Sequence, residues 1–373
     1  MTTEVEQLKH DLSTFIAGDP AAGSFNALAL RLYRWHLSSI PRYRAFCASR
    51  LSDPWAVEDY RAIPPLPVEA FKHGDLSAVP KERIERRFST SGTTRRGPGP
   101  GKRGVSAFDR DALEIMDLAI HCNAARNLFP DAVRCRVLVL APHPDDAPHM
   151  IMAHGMRHLM SCFGDEHSGF FAGKDGLDLP RFLAALERAC EERVPVCLIG
   201  ASFGFVHLID TLQSRERLPI QLPPGSRLMD AGGYKGRSRE LQPEEFRELT
   251  ARSFGLGDPH IVNLLGMTEL SSQIYDDVLA RQHAGEPTAL RRKLPPHWVR
   301  THVTSIDEPL ADAAEGEVGI LAHYDLANFS RPFAVLSDDL GRAQLGGFRI
   351  LSRIKSSEPR GCSVSVEELW RQS

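Results

Sequence analysis

The sequence has few of the features that mark membrane, secreted or nucleic-acid-binding proteins. No stretch approaches the ~18 consecutive apolar residues that a membrane-spanning helix needs. The opening MTTEVEQLKH contains acids in an amphipathic helical pattern, instead of the basic start and apolar core of a signal peptide. The 45 basic and 48 acidic residues leave a net charge of −3, which gives no global field for nucleic acid. We therefore expect a cytoplasmic protein with no membrane span and no nucleic-acid partner.

Cysteine is present but lacks the spacing of a disulfide framework or a zinc site. There are seven cysteines, an odd number, and no two form a C-x-x-C pair. This pattern favours reduced thiols. One of them, Cys362, stands apart, because it follows Pro-Arg-Gly in a polar segment close to the end of the chain.

The order of helix-like and strand-like segments predicts an α/β fold. Helical patterns at 112–128, 180–192 and 243–254 each precede a short apolar run, namely RCRVLVLAP, VPVCLIGAS and HIVNLLGM. This alternation indicates parallel strands flanked by helices. Strand-like runs after residue 315 lack helices between them and predict a small antiparallel appendage. Two further helical patterns, at 5–16 and 27–49, form the beginning of the chain.

The segment RFSTSGTTRRGPGPGKRG, residues 87–104, is the first chemical signal. Small hydroxyl residues surround a glycine, so backbone N–H groups and short side chains can approach an anion closely. The loop residues are Ser89, Thr90, Ser91, Gly92, Thr93 and Thr94. Basic residues, among them Lys102, follow. A flexible linker remains the alternative. The loop is not a Walker motif, because G-x-x-x-x-G-K-[ST] is absent.

The second signal is Gly266-Met267-Thr268-Glu269, which follows the strand-like HIVNLL. It puts a hydroxyl and a carboxylate after a strand, where open α/β sheets bind ligands. Glu269 suits Mg²⁺ shared with a nucleotide phosphate. A carboxylate at the start of a helix is the alternative.

Together these motifs resemble those of the adenylate-forming superfamily, which joins a carboxylic acid to AMP using ATP. The resemblance covers about residues 85–362 and implies an adenylate-forming large domain. It implies that residues 89–94 hold phosphate, that Thr268 and Glu269 are catalytic with Glu269 binding Mg²⁺, and that Asp339 of LSDDLGR holds the ribose. In MDAGGYKGR it implies that Gly232, Gly233 and Tyr234 line the adenine. Arg353 matches the arginine of the hinge.

Most members of that superfamily continue past the hinge into a mobile lid with a catalytic lysine, whereas only twenty residues follow Arg353 here. This shortened end, together with the PRGCS cysteine, resembles the LuxE-type acyl-protein synthetases. The resemblance implies that acyl-AMP is formed and that Cys362 then accepts the acyl group. Nearby Arg360, Lys355 and Arg353 would favour its thiolate. Lys102, Lys235 and Lys355 are the candidates to replace the lid lysine.

The pocket for the acid is expected around LIGASFGFVHLID. Its predicted residues are Gly200, Phe203, Gly204, Phe205 and, from LAPHPDD, His143. Small residues after a strand could leave a channel that aromatic side chains line, although core packing explains the phenylalanines equally well. The expected substrate is a carboxylic acid, in this family a long-chain fatty acid. The thioester would pass to an acyl reductase or a carrier protein.

Three alternatives to self-acylation remain open. A phenylacetate-type CoA ligase would share the adenylation chemistry but pass the acyl group to a diffusible thiol. VLVLAPHPDDAPHM resembles the zinc motif of PIG-L-type deacetylases through His143, Asp145 and Asp146, although Ala147 replaces the glutamate. A nucleotide-binding protein without catalysis is the third.

The expected domain organisation has an adenylate-forming domain at 1–345 and a short segment with the acceptor cysteine at 346–373. Within the first we expect a helical lead-in at 1–80, a nucleotide- and acyl-binding core at 85–275 and the β appendage at 315–345.

Overall fold

The chain folds into two compact units. The computed structural model describes residues 2–18, 23–90, 103–173, 176–233, 238–308 and 310–354. The first unit contains the chain up to Cys122, Met267–Ser272 and the chain from Arg292 onward, and the second contains Asn123–Gly266 and Gln273–Arg291. The predicted division at residue 345 stays a prediction, because the segment 355–373 lies outside the described residues.

The described residues form nine α-helices, four of which coincide with the helical patterns predicted at 5–16, 112–128, 180–192 and 243–254. The nine helices are α1 (Thr2–Ile16), α2 (Phe25–Ser39), α3 (Pro41–Ala48), α4 (Arg110–Asn127), α5 (Ile151–Phe163), α6 (Leu179–Glu191), α7 (Ser202–Ser214), α8 (Pro243–Phe254) and α9 (Val278–His283). Within the part of the chain described, no helix has both the length and the apolar character needed to cross a membrane.

The strands are short and mostly buried. They are β1 (Leu66–Pro67), β2 (Arg86–Ser89), β3 (Val105–Phe108), β4 (Arg136–Pro142), β5 (Gly169–Gly173), β6 (Gly176–Leu177), β7 (Val196–Ala201), β8 (Arg227–Ala231), β9 (Ile261–Leu265), β10 (Ile274–Tyr275), β11 (Val299–Thr304), β12 (Gly319–Asp325), β13 (Ala334–Gln344) and β14 (Gly347–Arg353).

The second unit is built on the predicted parallel sheet, whose order is β10-β9-β8-β7-β4-β5-β6. The strands β9, β8, β7, β4 and β5 run parallel, and the edge strands β10 and β6 are antiparallel to their neighbours. The helices α6, α7 and α8 contribute to a fully apolar core with alternate residues of the strands, such as Leu138 and Leu198. The predicted α/β fold class is confirmed.

The first unit carries the antiparallel strands. Its larger sheet has the order β1-β13-β12-β11, with β14 also paired to β13. The pairs β12 with β13 and β13 with β14 are antiparallel, as predicted. Two neighbours were not predicted: β11 joins β12 antiparallel, and β1 joins β13 in parallel. A separate hairpin of β2 and β3 flanks the predicted phosphate loop.

The prediction of one continuous helix at 27–49 was wrong. The backbone leaves the helical region at Ile40, where φ is −119° and ψ is 90°, and a new helix begins at Pro41. The ring of Pro41 clashes with a helical conformation of Ile40, which ends the first helix. The apolar periodicity continues across this break, so the sequence pattern alone does not show it.

A buried ion pair joins the end of α4 to the sheet of the second unit. Arg227 on β8 is fully buried and donates to both carboxylate oxygens of Asp131, at 2.9 and 2.7 Å. It also donates to the carbonyl oxygens of Leu128 and Gly225, at 2.8 and 2.7 Å. The guanidinium is thereby satisfied in a site that water does not reach.

We predict that Asp131→Asn destabilises the protein by about 3 kcal/mol at pH 7, because it leaves a buried guanidinium without its counter-charge. Burial alone would raise the pKa of Asp131, but the hydrogen bonds and charge of Arg227 lower it below 3.8. The stabilisation that the ion pair of Asp131 with Arg227 provides is therefore present above pH 3.8, and it is lost as the pH falls through the folded-state pKa of Asp131.

Urea unfolding at pH 7 and at pH 3 measures how much the free energy of unfolding of Asp131→Asn falls below that of the wild type. Asp210→Asn is the matched control, since Asp210 pairs with Arg239 at 2.9 Å on the surface and should contribute less than about 1 kcal/mol. An equal decrease in the free energy of unfolding of Asp131→Asn and Asp210→Asn at pH 7 would contradict the prediction.

Candidate active site

The loop Met267–Ser272 is held in place by two buried side chains of the first unit. Asp325 accepts hydrogen bonds from the backbone N–H groups of Ser271 and Ser272, at 3.1 and 2.8 Å, and from the Ser272 hydroxyl at 2.7 Å. Asn328 accepts from Ser271 N at 2.8 Å and donates to the carbonyl oxygen of Glu269 at 2.8 Å. These bonds fix the backbone from the Glu269 carbonyl group to Ser272, directly after the Glu269 side chain.

The Glu269 carboxyl is buried among charged groups. Only 7% of the residue is exposed, and this burial raises its pKa to about 7. Arg353 and Arg331 favour the charged form, whereas Asp338 opposes it. Since a cation beside this carboxylate would compensate for the lost hydration, the residue fits Mg²⁺ held jointly with phosphate oxygens. Thr268 beside it is also buried.

The base of the predicted phosphate loop lies next to Glu269. The Thr90 N–H donates to the carbonyl oxygen of Gly104 at 2.9 Å, and the Gly104 N–H donates to the Thr90 hydroxyl at 3.0 Å. A side chain at Gly104 would lie 3.1 Å from Thr90 Cγ2 and 3.6 Å from Glu269 Oε1. The absence of a side chain there lets the hairpin of β2 and β3 approach the carboxylate. Ser89 is the last residue of β2, directly before Thr90.

Asp339 and Arg353 are partners across β13 and β14. They face each other in the strand register, and Arg353 Nε lies 3.4 Å from Asp339 Oδ1. Burial raises the pKa of Asp339, Arg353 lowers it and Asp338 raises it further. The Arg353 side chain remains 57% exposed, so a ligand can reach the pair. Two residues that sequence motifs singled out separately thus meet in the fold.

In the second unit, polar side chains support the glycine turn after β8. Ser202, which begins α7, has its hydroxyl 2.7 Å from Asp230 Oδ2 and 2.9 Å from the carbonyl oxygen of Gly232. Asn263 on β9 donates to Asp230 Oδ2 at 3.0 Å. Gly232 has φ of +78°, which favours glycine, and a side chain at Gly232 or Gly233 would meet nothing within 4 Å. A flat ring can therefore approach this backbone, and the adenine role of the two glycines stays a prediction.

The residues predicted for the acyl pocket do not share one environment. Phe205 is fully buried in the apolar core, and a side chain at Gly200 would lie 3.3 Å from the Phe205 ring. Gly200 thus makes room for Phe205, as core packing would require. Phe203 and Gly204 are half-buried on the first turn of α7. Their role in holding the acid stays a prediction.

His143 lies near the end of β4. Its Nδ1 is 3.3 Å from Asp145 Oδ2, and its ring contacts Phe170 edge-on at 5.0 Å between centroids. Among the residues of the described ranges, no group of three or more His, Cys, Asp or Glu side chains is placed to hold a metal ion. The zinc alternative therefore has no ligand cluster in those ranges. The role of His143 in an acyl pocket stays a prediction.

The six cysteines of the described residues are free thiols. Burial raises the pKa of Cys47 to about 12 and that of Cys135 to about 11, and it also raises the pKa of Cys122, Cys190 and Cys197. Such thiols are poor nucleophiles near neutral pH. Cys162 differs, because its Sγ lies 3.5 Å from His158 Nε2 on the same helix.

Several predicted residues lie outside the described residues: Ser91, Gly92, Thr93, Thr94, Lys102, Tyr234, Lys235, Lys355, Arg360 and Cys362.

Comparison with known proteins identifies the family. Residues 16–370 match the model of the family described as acyl-protein synthetase, LuxE. The chain belongs to this family. It is therefore an acyl-protein ligase, an enzyme that activates an acyl group, and the predicted resemblance is confirmed.

Two curated relatives of the chain bear the name long-chain-fatty-acid–luciferin-component ligase, and each is 24% identical to it. The match to the Vibrio harveyi protein covers 91% of this chain and 86% of the relative. The match to the Aliivibrio fischeri protein covers 93% and 88%.

Solved structures agree on the fold. A 2-hydroxyisobutyryl-CoA ligase in an open conformation, in complex with 2-HIB-AMP and CoA, matches with a TM-score of 0.61 and 12% identity, over 89% of this chain and 74% of that chain. McyG A-PCP complexed with phenylalanyl-adenylate matches with a TM-score of 0.51 and 16% identity, over 74% of this chain and 48% of that one. The acyl-protein synthetase thus has the fold of adenylate-forming ligases.

Sequence motifs did not reveal the residues that support these sites. Asp325 and Asn328 occur in YDLANFS, which reads as the end of a strand and a turn. Asp230 and Ser202 belong to a strand and a helix that otherwise predict core. A polar residue within or directly after an apolar run was the available signal, because such a residue needs a buried partner.

We predict that Glu269→Gln stabilises the ligand-free enzyme much more at pH 8 than at pH 5. The pKa of Glu269 is about 7 in the folded protein and 4.5 without burial. Folding therefore favours the protonated carboxyl, and the penalty for its charge is absent below pH 4.5 and complete above about pH 7. A neutral glutamine avoids this penalty, which is on the order of 3 kcal/mol.

Melting temperatures at the two pH values test this, with the exposed Glu315→Gln as the control. A change in melting temperature that is the same at pH 5 and pH 8 would show that the Glu269 charge does not oppose folding.

Proposed function

We propose that this acyl-protein synthetase activates a long-chain fatty acid with ATP and then transfers the acyl group to its own Cys362. The observation that carries the proposal is the buried Glu269 carboxylate beside the base of the hydroxyl-rich loop, with the Asp339 and Arg353 pair in the same unit. The names of the two curated relatives support the choice of a long-chain fatty acid.

In the first half-reaction, a carboxylate oxygen of the acid attacks the α-phosphorus of ATP. The bond from this phosphorus to the bridging oxygen breaks, and pyrophosphate leaves with that bond's electrons. Glu269 would hold Mg²⁺, which when bound offsets the phosphate charge, and Thr268 would assist the same step. We assign the phosphates to residues 89–94, the ribose to Asp339 and the adenine to Gly232, Gly233 and Tyr234. Arg353 would orient the carboxylate of Asp339 toward the ribose hydroxyls.

In the second half-reaction, the Cys362 thiolate attacks the carbonyl carbon of the acyl-AMP. The bond from this carbon to the phosphate oxygen breaks, so AMP leaves and a thioester remains on the enzyme. The raised pKa of the buried cysteines supports a separate, accessible acceptor. The thioester would then pass to an acyl-accepting reductase or a carrier protein.

The alternative is transfer to a diffusible thiol, as in a phenylacetate-type CoA ligase. The family match favours a protein acceptor, since the family is described by that activity. The two functions differ in whether Cys362 is needed for product formation.

We predict that Glu269→Gln lowers acid-dependent exchange between ATP and pyrophosphate about a hundredfold, which corresponds to about 2.7 kcal/mol of transition-state stabilisation. The reason is that a neutral amide is a far weaker ligand for Mg²⁺ than a carboxylate. Radiolabelled pyrophosphate exchange measures the effect, with Glu315→Gln as a control of equal charge change. Exchange at the wild-type rate in a folded Glu269→Gln protein would remove Glu269 from the site.

We predict that Cys362→Ala separates the two half-reactions. It removes the proposed nucleophile and no adenylation residue, so the variant should keep exchanging pyrophosphate and accumulate acyl-AMP without gaining the acyl mass. Intact-mass spectrometry after incubation with ATP and fatty acids of several lengths follows the adduct. In the wild type, neutral hydroxylamine should remove it, as expected for a thioester.

Cys162→Ala is the matched control, because this thiol lies next to His158 and is the other candidate nucleophile. Acylation of Cys362→Ala at the wild-type rate, or its loss in Cys162→Ala, would place the acceptor elsewhere. Formation of acyl-CoA by Cys362→Ala at the wild-type rate would favour the CoA ligase.

A further inference from the structure

A cavity of about 410 Å³ in the first unit has a mostly apolar wall. Its apolar lining includes Phe46, Pro64, Pro65, Pro67, Leu310 and Leu336. Two charged residues, Arg50 and Glu308, also line it. Leu310 is 48% exposed, so part of the apolar lining faces water. A side chain that filled the cavity would remove this surface from water, which favours an occupant with a large apolar group.

The strands β1 and β14 lie end to end beside this cavity. β12 pairs with one edge of β13 along residues that also pair with β1 and β14, so these two strands share the other edge. Pro67 of β1 is the partner of Leu336, and Arg353 of β14 is the partner of Asp339. Because β14 is antiparallel to β13, its residue numbers rise toward Leu336. The chain therefore leaves β14 in the direction of the cavity wall.

A hydrogen bond fixes the point at which the chain leaves β14. The N–H of Ile354 donates to the carbonyl oxygen of Asp338 at 2.8 Å. Asp338 and Leu336 are two residues apart on β13, which corresponds to about 7 Å along a strand. Leu336 and its partner Pro67 both line the cavity. The segment after Ile354 thus starts next to the part of β13 that forms the cavity wall.

The segment that follows, residues 355–373, lies outside the described residues. Its sequence is mainly polar, and its two largest apolar residues are adjacent, Leu369 and Trp370. Glu368 stands directly before this pair and Arg371 directly after it. Aromatic side chains gain the most from leaving water, so a tryptophan in a polar segment favours a docked position.

The charges on the cavity wall complement those beside the apolar pair. Arg50 carries the charge opposite to that of Glu368, and Glu308 the charge opposite to that of Arg371. Two pairings of opposite charge would fix the direction in which the segment lies. The cavity thus suits this segment of the chain in both its apolar and its charged residues.

The segment is long enough to reach the cavity. Leu369 follows Ile354 by about fifteen residues, which span up to about 50 Å when extended. Docking of Leu369 beside Leu336 would close the intervening residues into a loop, at an entropic cost that grows only slowly with loop length. Cys362 is near the middle of the sequence that forms this loop.

We propose that Leu369 and Trp370 dock in this cavity and hold Cys362 in a loop beside the candidate active site. The loop follows Arg353, whose partner Asp339 belongs to that site. With both ends of the loop held, the effective concentration of the thiol at the acyl-AMP rises, and release of the docked pair lets the thiol reach a separate acceptor. The consequence for Cys362 rests on the proposed function, whereas the docking itself does not.

Fluorine NMR of the full-length protein labelled with 5-fluorotryptophan tests the docking. The chain has four tryptophans, and Trp370→Phe assigns the signal of Trp370. Its chemical-shift change between H₂O and D₂O should be much smaller than that of Trp55, which is 47% exposed. Leu310→Glu, which puts a charge into the apolar lining, should raise the change at Trp370 to the value at Trp55. Leu345→Glu is the matched control, because this leucine is 64% exposed and lies outside the lining.

Charge reversal tests the same contact in a second way. Glu308→Arg should expose Trp370 to solvent, because it places a positive charge opposite Arg371. Adding Arg371→Glu to this variant should restore the small solvent effect at Trp370. Glu308 is exposed, so its substitution leaves the core unchanged. Continued exposure of Trp370 in the double variant would contradict the pairing.

Intact-mass spectrometry then measures the effect on Cys362. Leu310→Glu should exchange pyrophosphate as the wild type does but acylate Cys362 about fivefold more slowly. A variant that exposes Trp370 yet acylates at the wild-type rate would support the docking and contradict its effect on Cys362. Absence of acylation in the wild type would contradict the proposed function, and the fluorine signals would still test the docking. A solvent-exposed Trp370 in the wild type, or one that stays buried in Leu310→Glu, would overturn the proposal.

Discussion

The candidate site depends on one buried carboxylate, Asp325. It accepts hydrogen bonds from three groups of the loop Met267–Ser272 and from the N–H of Ala327, at 3.0 Å. Burial raises its pKa, and the hydrogen bonds from Ser272 and Ala327 oppose that shift. A neutral side chain of the same shape could not accept all four bonds. The loop that carries Thr268 and Glu269 is therefore ordered by a fully buried carboxylate.

The same arrangement explains why so many charges are buried in a small volume of the first unit. Glu269, Asp339 and Arg331 are each buried, and burial shifts each pKa toward the neutral form. Such groups oppose folding in the free enzyme. In the proposed function, a nucleotide with its phosphates and metal would satisfy these groups together, so ligand binding would offset the free energy that their burial costs the ligand-free protein. This pattern of poorly satisfied charges is typical of functional sites rather than of structural ion pairs such as Arg227 with Asp131.

The sequence was sufficient for the order of elements and for the short motifs, because both are encoded locally. Periodicity located α4, α6 and α8, and each apolar run became a parallel strand. The periodicity did not predict the break at Pro41, because the apolar residues keep their helical spacing although one helix ends at Ser39 and another begins at Pro41. The periodicity could not predict the residues around Glu269. Asp325, which holds its loop, and Arg331, whose charge acts on its carboxyl, lie more than fifty residues away along the chain. Only the tertiary fold determines which carboxylate meets which loop.

The thiols of the described residues bear on the proposed second half-reaction. An enzyme that holds an acyl-AMP, a reactive mixed anhydride, must keep its other nucleophiles from taking the acyl group. Burial raises the pKa of Cys47, Cys135 and Cys197 far enough that almost no thiolate forms at neutral pH. The same packing that stabilises the core thus protects those thiols. Cys162 is the exception among the thiols named above, because its Sγ lies 3.5 Å from His158 Nε2, so it is the thiol from which the proposed acceptor has to be distinguished.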